Sequence, residues 1–497
     1  MNYQSTRGGE HDVSAAQAIV KGLAGDKGLF VPNSIPSFTD DDLEFLQSCN
    51  YMDAAKLIFE MFLDDFSLDE IDECVEAAYF DSFDSASVTP LITLDSSTAV
   101  LELWHGPTCA FKDVALQILP HLMTTSMKIT GEKNEIVILV ATSGDTGKAA
   151  LEGFKDVAGT SIIVLYPQNG VSEIQKRQMV TQEGSNVEVI AINGNFDTAQ
   201  NAVKSIFTDD GLAAKILNHG KKLSSANSIN WGRLLPQIVY YAHTSARLLK
   251  SSPLAVKVNF VVPTGNFGNI LACYYAKRMG APIGRMICAS NANNVLTDFI
   301  KTGVYNRNRE FRTTMSPSMD ILVSSNLERL LYELSDHDSA LVSSLMSELA
   351  ESGSYSVPDE LKAKISELFS AGFCDDSKTT KSIAEAWLKY RYVMDPHTAV
   401  AFGALESYRS ESGDSSLSVV VSTASPYKFP CGVYSAISDT TLEHKSEYEI
   451  MQKLSELTGW IIPEPVSELE SREVLHSCVC EPCDIGSLIE TLICNAP

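Results

Sequence analysis

Lys112 is the residue of this sequence best placed for covalent chemistry. It closes the segment HGPTCAFK (105–112), which separates an apolar stretch that predicts a strand from a pattern that predicts a helix. Burial disfavours an ammonium group, and so does the positive end of a helix dipole. Both effects favour a neutral amine, which is a nucleophile toward aldehydes. Taken alone, Lys112 fits better as a surface lysine whose ammonium reaches water, and it is the joint occurrence with the motifs below that favours the chemical role.

Two glycine-containing turns could hold an anion at the start of a helix. The first is GNFGN (265–269), and the second is SGDTGK (143–148). Backbone N–H groups and the helix dipole attract negative charge at such turns. The alternatives are an ordinary turn for the first, and helix capping by Ser143, Asp145 or Thr146 for the second. Neither matches G-x-G-x-x-G or a P-loop, so dinucleotide binding and P-loop nucleotide chemistry lack support.

Thr423 ends the apolar run SVVVS, where its hydroxyl could face a ligand or cap the next helix. Pyridoxal phosphate is an aldehyde that carries a phosphate. Its enzymes need a Schiff-base lysine, a phosphate cradle and a partner for the pyridine nitrogen. Lys112, the GNFGN loop and Thr423 offer one candidate for each requirement.

The elements that must position these residues repeat one plan: apolar strand, turn, helix. The plan recurs at 135–154, 160–180, 186–207, 257–280 and 418–437. Near-continuous Val/Ile strands alternating with helices predict an α/β fold with parallel sheets covered on both faces. Ligands of such folds bind beyond the carboxyl ends of the strands, where the turns described above lie.

The chain divides into an α/β core between two acidic, helical ends. We expect a mainly helical region at 1–90, a catalytic core at 91–440 and a helical C-terminal appendage at 441–497. Within the core, a smaller subdomain is expected at about 115–225. Residues 325–390 show no strand pattern and are interpreted as a helical insertion.

Composition excludes several classes of partner. The chain has 38 basic and 63 acidic residues, for a net charge of −25, which argues against nucleic acid. No apolar run is long enough for a membrane helix, and the N-terminus lacks the apolar core of a secretory signal. Eleven cysteines favour a reducing, cytoplasmic location. The loose spacing of HSCVCEPC (476–483) favours no metal site.

The order of the motifs resembles the threonine synthases, in the longer form found in bacteria and fungi. The opening YQSTRGG…GLAGDKGLFVP (3–32) is similar to the N-terminal signature of that family. It is followed, in the order of the family, by HGPTCAFKD, ATSGDTG, NSINWGR (227–233), PTGNFGN, MDILVSSNLERL (319–330), DPHTA (395–399) and STASPYKF. The resemblance runs nearly end to end and implies a fold type II pyridoxal-phosphate enzyme.

The resemblance also implies roles. Lys112 would be the catalytic and cofactor lysine, and Thr423 would hydrogen-bond the pyridine nitrogen. The remaining cofactor-binding candidates are Phe111, Gly265, Asn266, Phe267, Gly268 and Asn269. The substrate-binding candidates are Arg7, Ser143, Gly144, Asp145, Thr146, Lys148, Arg177, Asn227, Asn230 and Lys428. Among them, Arg7, Lys148, Arg177 and Lys428 are the candidates for a cationic clamp on the substrate phosphate.

The implied activity is that of a carbon–oxygen lyase that acts on a phosphate ester. It would convert O-phospho-L-homoserine and water to L-threonine and phosphate, as a monomer or small homo-oligomer. A related phospholyase that yields a 2-oxo acid would share the cofactor motifs. A non-catalytic homologue is the other alternative, and the complete set of candidates for Lys112, phosphate loop and Thr423 argues against it.

Overall fold

The computed structural model describes residues 1–142, 144–168, 171–194, 196–207, 209–251, 257–438 and 445–495. Within these ranges the strands are β1 (Tyr3–Ser5), β2 (Phe30–Pro32), β3 (Leu91–Thr93), β4 (Thr98–Glu102), β5 (Glu135–Ala141), β6 (Thr160–Pro167), β7 (Val187–Ile192), β8 (Lys221–Ser224), β9 (Val258–Pro263), β10 (Ile283–Ser290), β11 (Val304–Asn306), β12 (Ser354–Ser356), β13 (Phe369–Phe373), β14 (Ser418–Ser422) and β15 (Cys478–Cys480).

The helices are α1 (Ala15–Lys21), α2 (Asp40–Leu46), α3 (Tyr51–Phe62), α4 (Leu68–Tyr79), α5 (Lys112–Leu116), α6 (Leu119–Thr130), α7 (Asp145–Phe154), α8 (Glu173–Val180), α9 (Phe196–Phe207), α10 (Asp210–Asn218), α11 (Trp231–Ser251), α12 (Gly268–Arg278), α13 (Val295–Thr302), α14 (Leu327–Leu334), α15 (Ser339–Ser352), α16 (Asp359–Leu368), α17 (Asp376–Tyr390), α18 (Pro396–Ser412), α19 (Pro430–Ile437), α20 (Glu447–Thr458), α21 (Glu464–Ser467) and α22 (Ile485–Asn495). Short 3₁₀ turns lie at Pro317–Met319, Pro426–Lys428 and Pro482–Asp484.

The larger sheet has the order β13-β10-β9-β14-β4-β3, and its pairs are parallel except for β3 with β4. Its central strands are buried on both faces. Val419 and Val421 of β14 pack in the cluster that holds α11 and α12, whereas Val420 packs in the cluster that holds α17 and α18. Since side chains of a strand alternate between faces, two covered faces require a continuous apolar run.

The smaller sheet has the order β15-β7-β6-β5-β8, and all of its pairs are parallel. Ile190 on β7 packs with Ile489 of α22 on one face, whereas Ile138 on β5 belongs to the main core on the other. The prediction of parallel sheets covered by helices is therefore confirmed in both sheets.

The structure corrects the interpretation of two segments as purely helical. Within 325–390, β13 pairs with β10 at the edge of the larger sheet, and within 441–497, β15 pairs with β7 at the edge of the smaller one. CVC is too short to show an alternating pattern, and FSAGF is a short segment with an internal glycine, a residue depleted in strands. Each is a strand because a neighbouring strand edge supplies its hydrogen bonds.

The order of strands brings three predicted site segments to one edge of the larger sheet. The segment 105–112 follows β4, Thr423 follows β14, and GNFGN follows β9, and these three strands are neighbours. The carboxyl ends of parallel strands meet at a single edge. No helix in the described ranges is both long and apolar enough to cross a membrane.

Candidate active site

Lys112 is the first residue of α5 and is 9% exposed. Its Nζ lies 3.5 Å from Oδ2 of Asp145 and 4.8 Å from the centre of the Phe111 ring. Burial lowers the pKa of this amine, Arg233 and Lys428 lower it further, and Asp145 opposes them. These effects shift the amine toward its neutral form, which is the direction expected from burial.

The turn before Lys112 is fixed by its own hydrogen bonds. The hydroxyl of Thr108 donates to Oδ1 of Asp113 at 2.6 Å, and its backbone N–H donates to Oδ2 at 2.9 Å. Cys109 adopts a left-handed conformation with φ of 58°. The N–H of Phe111 donates to the carbonyl of Thr423 at 2.8 Å. These bonds hold Lys112 against the end of β14.

Asp145 is the centre of the polar contacts around Lys112. Its Oδ1 accepts from Nζ of Lys428 at 2.8 Å and from Nε2 of Gln175 at 2.9 Å. Its Oδ2 accepts from the hydroxyl of Ser318 at 3.1 Å. Burial opposes ionisation of this carboxyl, but Lys428 and Lys112 hold its pKa far below the ordinary value. Asp145 is thus a permanently charged group at the point where the two sheets meet.

The capping alternative for SGDTGK is wrong for Asp145. The hydroxyl of Thr142 accepts from the N–H groups of Gly144 and Gly147 at 3.0 and 2.9 Å, so Thr142 serves the start of α7. Gly144 has φ of 138°, and a Cβ there would lie 2.6 Å from the side chain of Gln175. Thr146 is half-buried, and Ser143 lies outside the described residues.

The GNFGN loop leads directly into α12. Phe267, rather than a glycine, takes the left-handed conformation there, with φ of 63°. In the described chain no side chain caps this helix, so its first amides remain available to an anion. The Oδ1 of Asn269 accepts from the hydroxyls of Tyr240 and Tyr241 at 2.7 and 2.6 Å. Its buried Nδ2 has no partner among the described residues.

The loop also contacts the Asp145 cluster. A Cβ on Gly265 would lie 2.9 Å from the carbonyl oxygen of Ser318, the same residue whose hydroxyl reaches Asp145. Ser318 is held in turn by His397, whose Nε2 accepts from its N–H at 3.1 Å. Asn326 donates to the carbonyl of Asn266, whose side chain is exposed. The loop and Lys112 therefore belong to one connected site.

Thr423 is 6% exposed and lies directly after β14. It does not cap the following turn, since the hydroxyl of Ser425 accepts from the N–H of Tyr427 there. Its backbone carbonyl holds Phe111, as described above. Thr423 follows β14 at the edge where Lys112 and the GNFGN loop lie.

Most of the basic candidates for a phosphate clamp are engaged elsewhere. Arg7 makes a bidentate pair with Glu328, with both N–O distances at 2.9 Å. Lys148 pairs with Glu152 at 2.7 Å and also contacts Gln182.

Arg177 donates to the carbonyls of Leu469, Glu470 and Arg472 and so holds the C-terminal segment. Of these four candidates, Lys428 alone lies near Lys112, and it already forms an ion pair with Asp145. The clamp interpretation therefore has no support from the contacts of Arg7, Lys148 or Arg177.

The two asparagines of the NSIN segment, Asn227 and Asn230, differ in burial and in hydrogen bonds. Asn230 is fully buried, and its amide donates to the carbonyls of Ile19 and Ser225 at 3.0 Å each, so it fixes the loop. Asn227 is half-buried, and its backbone carbonyl accepts from the N–H of Asn230. Asn230 is a structural residue in this arrangement.

Arg233 is the main site residue that the sequence analysis did not single out. It is 4% exposed, and one of its terminal nitrogens donates to the carbonyl of Ala226 at 2.6 Å. Its Nε has no partner, and no carboxylate lies within ion-pair distance of it in the ranges that the structure describes. Burial lowers its pKa to about 10, so it remains charged. The only signal in the sequence was its place at the end of NSINWGR.

The residues present fit a pyridoxal phosphate. Lys112 offers a buried amine, the uncapped start of α12 offers backbone donors, and Asn269 offers an unpartnered buried one. Among the described residues, the first amides of α12 and the Asn269 amide lack side-chain partners, and Lys112 shares its carboxylate with Lys428. A phosphate-bearing aldehyde would offer a partner to all of them.

Comparison with known proteins agrees with this chemistry. Residues 84–424 match the family described as pyridoxal-phosphate dependent enzyme, and residues 2–79 match the threonine synthase N terminus. The threonine synthase of Pseudomonas aeruginosa is 39% identical, over 88% of this chain and 90% of its own. Threonine synthase-like 1 of Pongo abelii is 37% identical over 89% of this chain. The aligned part is 61% of the length of that relative.

The fold is also that of a solved structure. The crystal structure of PLP-bound threonine synthase from Brucella melitensis superposes with a TM-score of 0.87 at 36% identity. The match covers 100% of this chain and 99% of the other. The likeness therefore includes both sheets and both helical ends.

Proposed function

Because the chain belongs to the threonine synthase family of pyridoxal-phosphate-dependent enzymes, we propose that it converts O-phospho-L-homoserine and water to L-threonine and phosphate. The observation that carries the proposal is the buried amine of Lys112, 3.5 Å from Asp145, at the edge that it shares with GNFGN and Thr423. Among the described residues, the ion-pair partner of Lys112 is the Asp145 carboxylate, which Lys428 also contacts.

We assign the cofactor to three groups of this chain. Lys112 would hold the aldehyde carbon, the amides at the start of α12 with Asn269 would hold the phosphate, and the hydroxyl of Thr423 would meet the pyridine nitrogen. When bound, pyridoxal phosphate stabilises negative charge on the substrate carbons, which allows phosphate to leave from Cγ and water to add at Cβ. A hydroxyl at the pyridine nitrogen, unlike a carboxylate, does not fix a positive charge on the ring.

Lys112 would also move the protons of the reaction. Burial lowers the pKa of Lys112, so its amine gives up a proton more readily than an ordinary lysine does, and this supports a role in moving protons. Its position at the start of a short, buried helix fixes the amine, and the hydrogen bonds of Thr108 and Phe111 fix the helix start. These features support Lys112 as the base and acid at Cα and Cβ.

Arg233 is the cation that we propose for the substrate phosphate. A buried guanidinium without a carboxylate partner is costly, on the order of several kcal/mol. An anionic ligand would offset that cost and accept from the free Nε. Arg233 also lowers the pKa of Lys112, which supports a role for this cation near the reactive amine.

The test is to follow phosphate release and threonine formation separately, with O-phospho-L-homoserine as substrate. Equal amounts of both products are expected from the wild type, and neither from Lys112→Ala. Phosphate accompanied by a 2-oxo acid and no threonine would replace the proposed reaction with simple elimination. A protein that takes up no pyridoxal phosphate would overturn the enzyme assignment.

We further propose that the protein acts in the reducing cytoplasm. The structure shows its cysteines as free thiols, many of them buried. Thiol counting on protein isolated from its own cells should find them reduced, and a disulfide in that material would contradict the proposal.

A further inference from the structure

Lys428 is a fully buried charged group near the reactive amine. Its side chain is 0% exposed, and its Nζ donates to Oδ1 of Asp145 and to the carbonyl of Thr108, both at 2.8 Å. Such an ammonium cannot extend toward a substrate without breaking both bonds. Lys428 is therefore unsuited to the clamp role that its place in the sequence suggested.

The single carboxylate of Asp145 interacts with two lysines. Lys428 holds Oδ1 at 2.8 Å, and Lys112 lies farther away, 3.5 Å from Oδ2. Gln175 and Ser318 fill further acceptor positions of the same carboxylate. Lys428 is the nearer lysine and therefore interacts more strongly with the carboxylate, because Coulomb attraction falls with distance.

The charge balance around Lys112 depends on this competition. A buried carboxylate alone beside Lys112 would stabilise its ammonium form. The charged groups that face the pair from the surrounding elements are Arg233 on α11 and Asp113 on α5, and the thiol of Cys109 also borders Lys428. None of these three groups has an ion pair with Asp145 among the described contacts, whereas Lys428 contacts its carboxylate directly.

We propose that Lys428 is a positioning residue that forms the main ion pair of Asp145. The carboxylate can then orient Lys112 without holding it as an ammonium ion. The inference deepens the proposed function and rests on Lys112 being its reactive amine. It assigns to Lys428 an electrostatic role in the reaction and no contact with the substrate.

The test measures the amine of Lys112 directly. Full-length protein freed of cofactor is treated with formaldehyde and cyanoborohydride across a range of pH, and the methylated peptide that contains Lys112 is quantified. Because only the neutral amine reacts, the pH midpoint of labelling reports its protonation. This readout does not depend on threonine formation, so it stands or fails separately from the proposed reaction.

Substitutions of Lys428 and of Asp145 are expected to shift the pH midpoint of Lys112 labelling in opposite directions. Lys428→Met should raise the midpoint by on the order of one pH unit, because Asp145 then acts on Lys112 alone. Asp145→Asn should lower it, because Lys428 and Arg233 then act without a counter-charge. The double variant should return toward the wild-type value, and Lys428→Arg should preserve it.

Lys148→Met is the matched control, since Lys148 is also buried and paired with a carboxylate on α7 but does not contact Asp145. Its midpoint should equal that of the wild type. A folded Lys428→Met protein with an unchanged or lowered midpoint would overturn the proposal. If that variant does not fold, Asp145→Asn decides, and a midpoint that is unchanged or raised there would also overturn it.

Discussion

Nζ of Lys112 lies 3.5 Å from Oδ2 of Asp145, although Lys112 follows a strand of the larger sheet and Asp145 follows a strand of the smaller one. The contact joins the carboxyl ends of the two sheets at one point. Lys428, Gln175 and Ser318 reach this point through hydrogen bonds to Asp145. GNFGN and Thr423 reach it through the ends of strands next to β4 or its neighbour.

Lys112 should carry the cofactor. Purified protein loaded with pyridoxal phosphate is expected to absorb visible light, and borohydride should abolish the absorbance and leave a reduced adduct on Lys112. Lys112→Ala should keep its circular dichroism spectrum and form no threonine, because the buried amine of Lys428 is held by Asp145 and by the carbonyl of Thr108 and cannot replace it. An adduct mapped to a different lysine, such as Lys148, would remove Lys112 from this role.

Replacing Arg233 should weaken binding of the substrate phosphate. In Arg233→Gln we expect KM for O-phospho-L-homoserine to rise at least tenfold, since the loss of a charged hydrogen bond costs about 1.5–3 kcal/mol. Inorganic phosphate should inhibit this variant more weakly than the wild type. Spectral titration with pyridoxal phosphate gives the cofactor affinity separately.

Arg409→Lys is the control for Arg233. Its guanidinium also has an unpartnered Nε, but it bonds Ser97 and Thr98 at the opposite, amino end of β4. It should change neither KM nor phosphate inhibition. A rise in the dissociation constant of pyridoxal phosphate with KM unchanged would place Arg233 at the cofactor phosphate instead.

The reaction should depend on the neutral hydroxyl of Thr423. Thr423→Ser is expected to be mild, because only a methyl is lost. Thr423→Asp should still bind cofactor but lose most threonine formation, since a carboxylate would keep the pyridine nitrogen protonated and favour side reactions at Cα. Phosphate and threonine are measured separately in both variants. Wild-type threonine formation by Thr423→Asp would show that the hydroxyl does not face the ring.

His105 should make stability depend on pH. Although its burial opposes the charge, the carboxylates of Asp84 and Glu102 raise the pKa of His105 to about 9. Their oxygens lie 2.6 and 2.9 Å from its ring nitrogens. A group with a raised folded-state pKa contributes stability that is fully present below its unfolded pKa of about 6.5 and is lost as pH rises through 9.

The expected loss between pH 6.5 and about 9 is on the order of 2 kcal/mol, reduced from the full shift because Asp84 is largely exposed. Urea denaturation of the wild type and of His105→Asn across this window measures it. The variant should show a flatter dependence, and equal slopes for the two proteins would contradict the assignment.

Much of the fold follows from local patterns in the sequence. The strands β5, β6, β7, β9 and β14 are continuous apolar runs, and each is followed by a turn and a helix, because a strand buried on both faces has no polar side. Lys112, GNFGN and Thr423 directly follow strands. Their common edge was predictable because parallel strands place their carboxyl ends together.

The sequence by itself thus determined the strand–turn–helix units and the residues that follow β4, β9 and β14, since these depend on neighbours a few positions away. Only the tertiary structure decided that Asp145 faces Lys112 and Lys428 instead of capping α7, and that Arg7, Lys148 and Arg177 are engaged elsewhere. It likewise decided that Arg233 is buried with no carboxylate partner among the described residues. It also decided the edge strands β13 and β15. The physical reason is that an ion pair or an edge strand depends on a partner brought close by packing, and that partner lies far away along the chain.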